Sequence, residues 1–215
     1  MEDIILIGSG QHCHVVLYNI REQGKYRVVG ILDSDVKKIG SIVEGIPVIG
    51  APDASTLQRI EREYGTNKFF IAFGAMAHRK RIFEFMRSSG WKAVNIIHPN
   101  AVISPDAVIG EGVLIECGCL ITPNPVIGDN VVVNTGSQVN HDNRIENHVY
   151  IASGVILSGG ITIKENTLID DGVIVSLGRT VGSNCIIGAG AVVTKDIPDD
   201  VVAFGVPARV IRTNQ

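Results

Sequence analysis

Two short stretches hold side chains whose types and spacing can do chemistry. In Val139-Asn140-His141-Asp142 an imidazole stands next to a carboxylate. A histidine so placed can be held in one tautomer and strengthened as a proton acceptor, as a general base requires. The second stretch, Gly8-Ser9-Gly10-Gln11-His12-Cys13, is a G-x-G-x-x-G pattern broken by Cys13 at the third glycine. A lone glycine fingerprint is weak, and no separate acidic residue near 28–30 supports NAD binding. The stretch reads as a turn offering backbone N–H groups to a nucleotide or sugar, or as a purely structural strand-to-helix turn. His12, just after the turn, reads as a substrate contact, and His14 as a residue that caps or packs on the helix. His98, before Pro99, marks a structural boundary, while His78 and His148 read as surface residues. No histidine pairs at i, i+4 with another ligand type in a way that compels a metal, so none is expected.

The element that positions His141 is announced by a repeat. From Ile97 to Val193 every sixth residue is Ile, Leu or Val, without insertion or slip. A period of six is neither helical nor a simple strand alternation. It suits a strand-and-corner unit in which each sixth side chain enters a narrow prism. Three units close an 18-residue coil, and between five and six coils stack as a solenoid. Corners such as Gly128-Asp129-Asn130, Glu165-Asn166 and Gly182-Ser183-Asn184 supply residues that tolerate left-handed backbone. His141, two past Val139, leaves the prism. Asn134, directly after Val133, also reads as outward and site-lining.

The element behind the glycine turn is different. The apolar run 3–7 ends at the turn and is followed by an amphipathic stretch over 12–23. Further strands are expected at 26–32 and 68–73, with helices at 51–64 and 78–88. Strands alternating with helices predict a small parallel sheet with helical crossovers. Ligands of such sheets sit at the strands' carboxyl ends, here Gly8–His12, Asp33-Ser34 and Gly74, which fall on one edge. The expected domains are an α/β, Rossmann-like one over 1–92 and an all-β helix over 93–215.

The composition, 45% apolar and 19% charged with net charge −3, belongs to a folded chain. Mild acidity argues against a general nucleic-acid binder. No apolar run approaches membrane-spanning length, and Met1-Glu2-Asp3 lacks the cationic start of a signal peptide. A cytoplasmic protein with no membrane partner is expected. The four cysteines form no C-x-x-C pair and read as small apolar residues.

The hexads, which end in Gly205-Val206-Pro207-Ala208, closely resemble the hexapeptide-repeat acyltransferases over residues 97–210. That resemblance implies a left-handed parallel β-helix, a homotrimer, and acetyl-CoA lying in the groove between neighbouring prisms. A truncated Rossmann-like domain joined to such a helix looks like the bacterial nucleotide-sugar acetyltransferases. These include enzymes acting on UDP-linked bacillosamine precursors, the GDP-perosamine N-acetyltransferases and the sialic acid O-acetyltransferases. The resemblance implies that His141 is the catalytic base with Asp142 as its acidic companion. It implies an oxyanion amide within Ser158-Gly159-Gly160 and an acceptor-orienting role for Asn134. Gly188, Ala189 and Gly190 would line the pantetheine groove, with Tyr150 and Asp171 on neighbouring coils. Tyr150 stands where some relatives carry a histidine, so only contact is implied. Lys195, Arg209 and Arg212 lie where CoA phosphates could be met, or are ordinary solvated charges. Gly10, Gln11, His12, Asp33, Ser34 and Gly74 would shape the sugar-nucleotide pocket, with Gln11 departing from the glycine usual in the group. The implied reaction is acetylation of the 4-amino group of a nucleotide-linked amino-dideoxy sugar. O-acetylation of a sialic acid-type sugar, or a silent trimeric scaffold, are the alternatives.

Overall fold

The computed structural model describes residues 1–214. They form two compact units, Met1–Ile96 and a second that starts at Ile97.

The first unit contains β1 (Glu2–Ile7), α1 (Gln11–Gln23), β2 (Tyr26–Leu32), β3 (Ile42–Val43) and β4 (Ile46–Gly50). It continues with α2 (Ala54–Tyr64), β5 (Lys68–Ile71), α3 (Met76–Ser88) and β6 (Lys92–Ala93). The sheet order is β3-β4-β2-β1-β5-β6, parallel except for the β3–β4 hairpin. β1 is central, and its residues Ile4 to Ile7 are no more than 1% exposed, as a parallel strand covered on both faces requires. Ile7 pairs with Leu32 on one side and Ile71 on the other. The three strands therefore end in register, which brings the chain after Ile7, Leu32 and Ile71 to one edge.

Local chemistry sets the boundaries. α2 starts at Ala54, later than the sequence pattern implied, because the Asp53 side chain caps it by accepting the Thr56 N–H at 2.8 Å. β5 stops at Ile71, short of the expected Phe73. The buried Arg79 guanidinium takes the Ile71 and Phe73 carbonyls at 2.8 and 3.1 Å and holds 72–75 as a loop. The β3–β4 hairpin, unforeseen in the sequence, turns on Glu44-Gly45, both at positive φ, as a two-residue type I′ turn demands.

The second unit is the β-helix. Two-residue strands build faces of eight, six and five strands, and the first face includes the closing antiparallel pair Val201–Phe204 and Arg209–Thr213. Each strand pairs in register with the one 18 residues on, as Val133 does with Ile151 and Val139 with Leu157. The inward aliphatics stack in three files: Ile115, Val133, Ile151, Ile169 and Ile187 are all 0% exposed. Each such burial is worth roughly 1.5–3 kcal/mol. The corners hold left-handed residues in files of the same period. One is glycine throughout, at 118, 136, 154, 172 and 190; another is Asn130, His148, Asn166 and Asn184. His148 is therefore not a surface residue as expected: it is 7% exposed and its Nδ1 lies 2.9 Å from Asn130 Nδ2. No helix among the described residues is long and apolar enough to cross a membrane, and none of their His, Cys, Asp and Glu side chains gather in threes that could hold a metal.

Candidate active site

His141 and Asp142 lie at the corner between the second face (strand Gln138–Val139) and the third (strand Arg144–Ile145). His141 Nδ1 is 2.8 Å from Asp142 Oδ2, and both side chains are 58% exposed. Asp142 adopts the left-handed corner conformation, φ 59°, which turns its carboxylate back onto the preceding residue. The hydrogen bond from His141, and then one from Asn124 Nδ2 at 3.2 Å, hold the Asp142 carboxyl below its usual range. An ionised carboxylate only accepts, so Nδ1 carries the proton and Nε2 keeps its lone pair. One coil on, the imidazole rests against Gly159: a Cβ there would stand 2.3 Å from both Nε2 and Cε1. Among the three amides of Ser158-Gly159-Gly160, Ser158 N donates to Val175 O and Gly160 N to His141 O. The Gly159 amide has no acceptor among the described residues. At the other corners the amides of Asp129, Ser153 and Ser183 are each taken by a side-chain oxygen.

Asn134, Asp171 and Gly188–Gly190 lie at a different corner, where the first face passes to the second, and Tyr150 sits on a strand leading into it. Asn134 Nδ2 donates to the Tyr150 hydroxyl at 3.1 Å. Asp171 Oδ1 accepts the Ser153 amide at 3.0 Å. Gly188 lies under the Phe204 ring, which a Cβ would meet at 1.7 Å, whereas Gly190 faces open space. The two corners bound opposite edges of the second face, so the structure separates these residues from His141 while gathering His141, Asp142 and Gly159.

In the α/β unit, the strand-end edge holds a cavity of about 250 Å³ lined by Gly10, Asp33, Ser34, Lys38, Phe73 and His78, among others. Gly8 is required where the turn leaves β1: its φ is 104°, and a Cβ would stand 2.6 Å from the Phe73 ring. Asp33 Oδ2 accepts both the amide and the hydroxyl of Ser9 and lies 3.2 Å from Lys38 Nζ, while Oδ1 accepts the Asp35 amide. Burial pushes this carboxyl up, but those hydrogen bonds outweigh it and bring it down to about 2. Asp33 thus organises the turn. Gly74 sits in the loop flanked by the lining residues Phe73 and Ala75. Gln11 begins α1 on the exposed side, and His12 turns inward, its pKa lowered to about 4 by burial and by the charge of Arg79. His14 neither caps nor packs; it is exposed and paired with Glu44 at 2.6 Å.

Residues 3–86 match the PglD N-terminal domain family. The fold matches the GDP-perosamine N-acetyltransferase of Caulobacter crescentus, solved as a histidine-to-alanine variant with CoA and GDP-perosamine. The TM-score is 0.91 and the identity 36%, over 99% of this chain and 98% of that one. The chain belongs to the nucleotide-sugar acetyltransferases of the hexapeptide-repeat superfamily. Within the family, the acetyltransferase domain of PglB from Neisseria gonorrhoeae, solved with acetyl coenzyme A, matches at TM-score 0.87 and 33% identity over 98% of this chain and 99% of that one. The UDP-N-acetylbacillosamine N-acetyltransferase of Bacillus subtilis is 33% identical over 115 residues, 54% of this chain; the match spans 51% of that protein. The coil of this family is left-handed, as the resemblance to the hexapeptide-repeat acyltransferases implied.

Several site residues escape a reading of the family's motifs. Lys38, Phe73 and His78 line the strand-end cavity, and His78 stacks on Phe73 with centroids 4.9 Å apart. Only the alternation of strands and helices hinted that 34–38 and 73–78 share an edge. Asn124 was findable: it stands 18 residues before Asp142, one coil away. Glu116 was findable in the same way, one coil before Asn134; its buried carboxylate takes the Thr135 amide and hydroxyl.

Proposed function

We propose that this chain transfers the acetyl group of acetyl-CoA to the 4-amino group of a nucleotide-linked amino-dideoxy sugar. The observation that carries the reading is the His141–Asp142 pair with Nε2 turned towards Gly159. Acetyl-CoA supplies an activated thioester carbonyl. The neutral amine attacks that carbonyl, and His141 Nε2 accepts the proton as the C–N bond forms. Asp142 holds the imidazole in the productive tautomer and stabilises the charge it acquires. The Gly159 amide receives the oxyanion, a contribution on the order of 3 kcal/mol to the barrier. As the C–S bond breaks, His141 returns the proton to the departing thiolate. Asn134 orients the acceptor, and Tyr150, Asp171 and Gly188–Gly190 line the CoA groove, with Phe204 forming its wall over Gly188.

The α/β unit binds the nucleotide at its strand-end cavity, with Gly10, Ser34 and Lys38 as contacts and Asp33 shaping the turn. GDP-perosamine in one relative's solved complex and UDP-N-acetylbacillosamine in another relative's name support a nucleotide-linked amino sugar as acceptor. The separation of the two corner sets supports a homotrimer, since a second prism is needed to bring Asn134 and the CoA groove to a His141 corner. Sedimentation across a dilution series tests the assembly; activity that persists in a monomer would reject it.

Thiol release from acetyl-CoA over a panel of UDP- and GDP-linked 4-amino sugars and free sialic acid tests the reaction. Turnover on an amino-sugar nucleotide, lost in His141→Asn, is the expected result. Turnover on sialic acid alone would replace it with O-acetylation, and silence throughout would favour a scaffold.

A further inference from the structure

We propose that Arg81 and His78 form a positioning relay that makes the Ser34 hydroxyl a fixed hydrogen-bond donor, so that the strand-end cavity selects a ligand bearing an acceptor oxygen there. Arg81 Nη2 lies 2.8 Å from His78 Nδ1. A guanidinium has only N–H donors, so Nδ1 accepts and the proton of the neutral ring sits on Nε2. That Nε2–H faces Ser34 Oγ at 3.4 Å. A hydroxyl that accepts from the ring directs its own hydrogen away from it, into the cavity that Ser34 and His78 both line.

A stacking contact orients the ring. It stacks on Phe73 at an interplanar angle of 25°, and the Phe73 carbonyl is itself held by buried Arg79. The rest of the cavity points the same way. The Asp33 carboxylate is committed to Ser9, Asp35 and Lys38, so it offers little to a ligand. What remains is a hydroxyl donor and the Lys38 ammonium beside an aromatic wall. That set fits a nucleotide through a base carbonyl or a phosphate oxygen. The assignment rests on the nucleotide-sugar reading of this cavity. Arg81 is exposed and is not among the cavity's lining residues, so it is a positioning residue.

Arg81→Met, Arg81→Lys, Ser34→Ala and the double variant Arg81→Met with Ser34→Ala test the relay in the full chain. Binding of UDP, GDP, uridine and pyrophosphate by calorimetry would be read beside KM and kcat. Nitrogen-15 spectra of the histidine rings would report the tautomer of His78. The expected result is an Nε2–H tautomer in the wild type and a KM raised about five- to tenfold in Arg81→Met, the scale of one hydrogen bond, with kcat within twofold. Arg81→Lys should recover much of the loss, and Arg81→Met should add nothing once Ser34 is alanine. Weakening shared by UDP and uridine would put the acceptor on the base; weakening shared by UDP and pyrophosphate would put it on a phosphate. An Nδ1–H tautomer, or an Arg81→Met variant with unchanged KM, would overturn the relay. A wild type that binds none of the four probes would overturn the ligand assignment and the nucleotide-sugar reading together, while the tautomer would still judge the relay's chemistry.

Discussion

The β-helix and the α/β unit hold their candidate residues by opposite means. In the β-helix every position has equivalents 18 residues away, so backbone stacking does the positioning and function shows as a departure from the file. His141 follows Pro123 and precedes Gly159 and Leu177 in such a file, and its side chain is open to solvent. In the α/β unit no position repeats. Its cavity is assembled from three loops far apart in sequence, tied together by buried side chains such as Asp33 and Arg79. The difference teaches that substitutions should separate rate from stability in one unit and couple them in the other.

One histidine from each unit tests that contrast most strongly. His141→Asn removes the base but only one exposed hydrogen bond, so kcat should fall about 10²–10⁴-fold with the melting temperature unchanged. A matching fall in melting temperature would remove the distinction. His12→Gln should instead alter stability, and activity along with it. Burial and Arg79 lower the pKa of His12 to about 4 from 6.5. The unfolded chain therefore binds the proton first, and stability present above pH 6.5 is lost as the pH falls towards 4. The full effect is on the order of 3 kcal/mol. Urea unfolding at pH 7 and pH 4.5 should show a steeper loss in the wild type than in His12→Gln; equal slopes would show that His12 is not the titrating group.

How much of this was legible in the sequence follows from the same contrast. Arithmetic in sixes and eighteens places His141, Asp142 and Gly159 at one corner, and Asn134 with Gly188–Gly190 one face earlier. It does not reveal that His148 is buried, because a polar ring at a corner reads as solvent-facing; only its spacing from Asn130 and Asn166 marks the file. The parallel sheet was legible from alternating strands and helices, and with it the edge holding Gly10, Asp33 and Ser34. Lys38, Phe73 and His78 were not, because a hairpin on an uncommon Glu44-Gly45 turn and a strand shortened by Arg79 decide where their loops run.

Two adjacent glycines give a finer test within the β-helix. Gly159→Ala puts a methyl 2.3 Å from His141 Nε2, so the imidazole must swing away, and kcat should drop about 10–100-fold, a barrier higher by about 1.4–2.7 kcal/mol. Gly160, at φ +66° with open space around its Cα, should respond to alanine through backbone strain instead. It should lose about 1–2 kcal/mol of stability with a smaller change in kcat. Thermal unfolding and turnover on the same two proteins would decide; similar profiles would mean that the close contact at Gly159 does not govern the imidazole.

The smallest expected effect lies one coil before the base. Asn124 donates to Asp142 Oδ1 and is itself left-handed, φ 63°. Asn124→Gly removes the amide while keeping a backbone at ease in that conformation, so stability should hold. Asp142 keeps its hydrogen bond to His141 but loses its second anchor. One exposed hydrogen bond to a charged group, worth about 1 kcal/mol, corresponds to a kcat reduced about fivefold or less. A fall as deep as that of His141→Asn would mean that His141 alone does not hold Asp142 in place, and that the orientation of the base is set across two coils rather than within one corner.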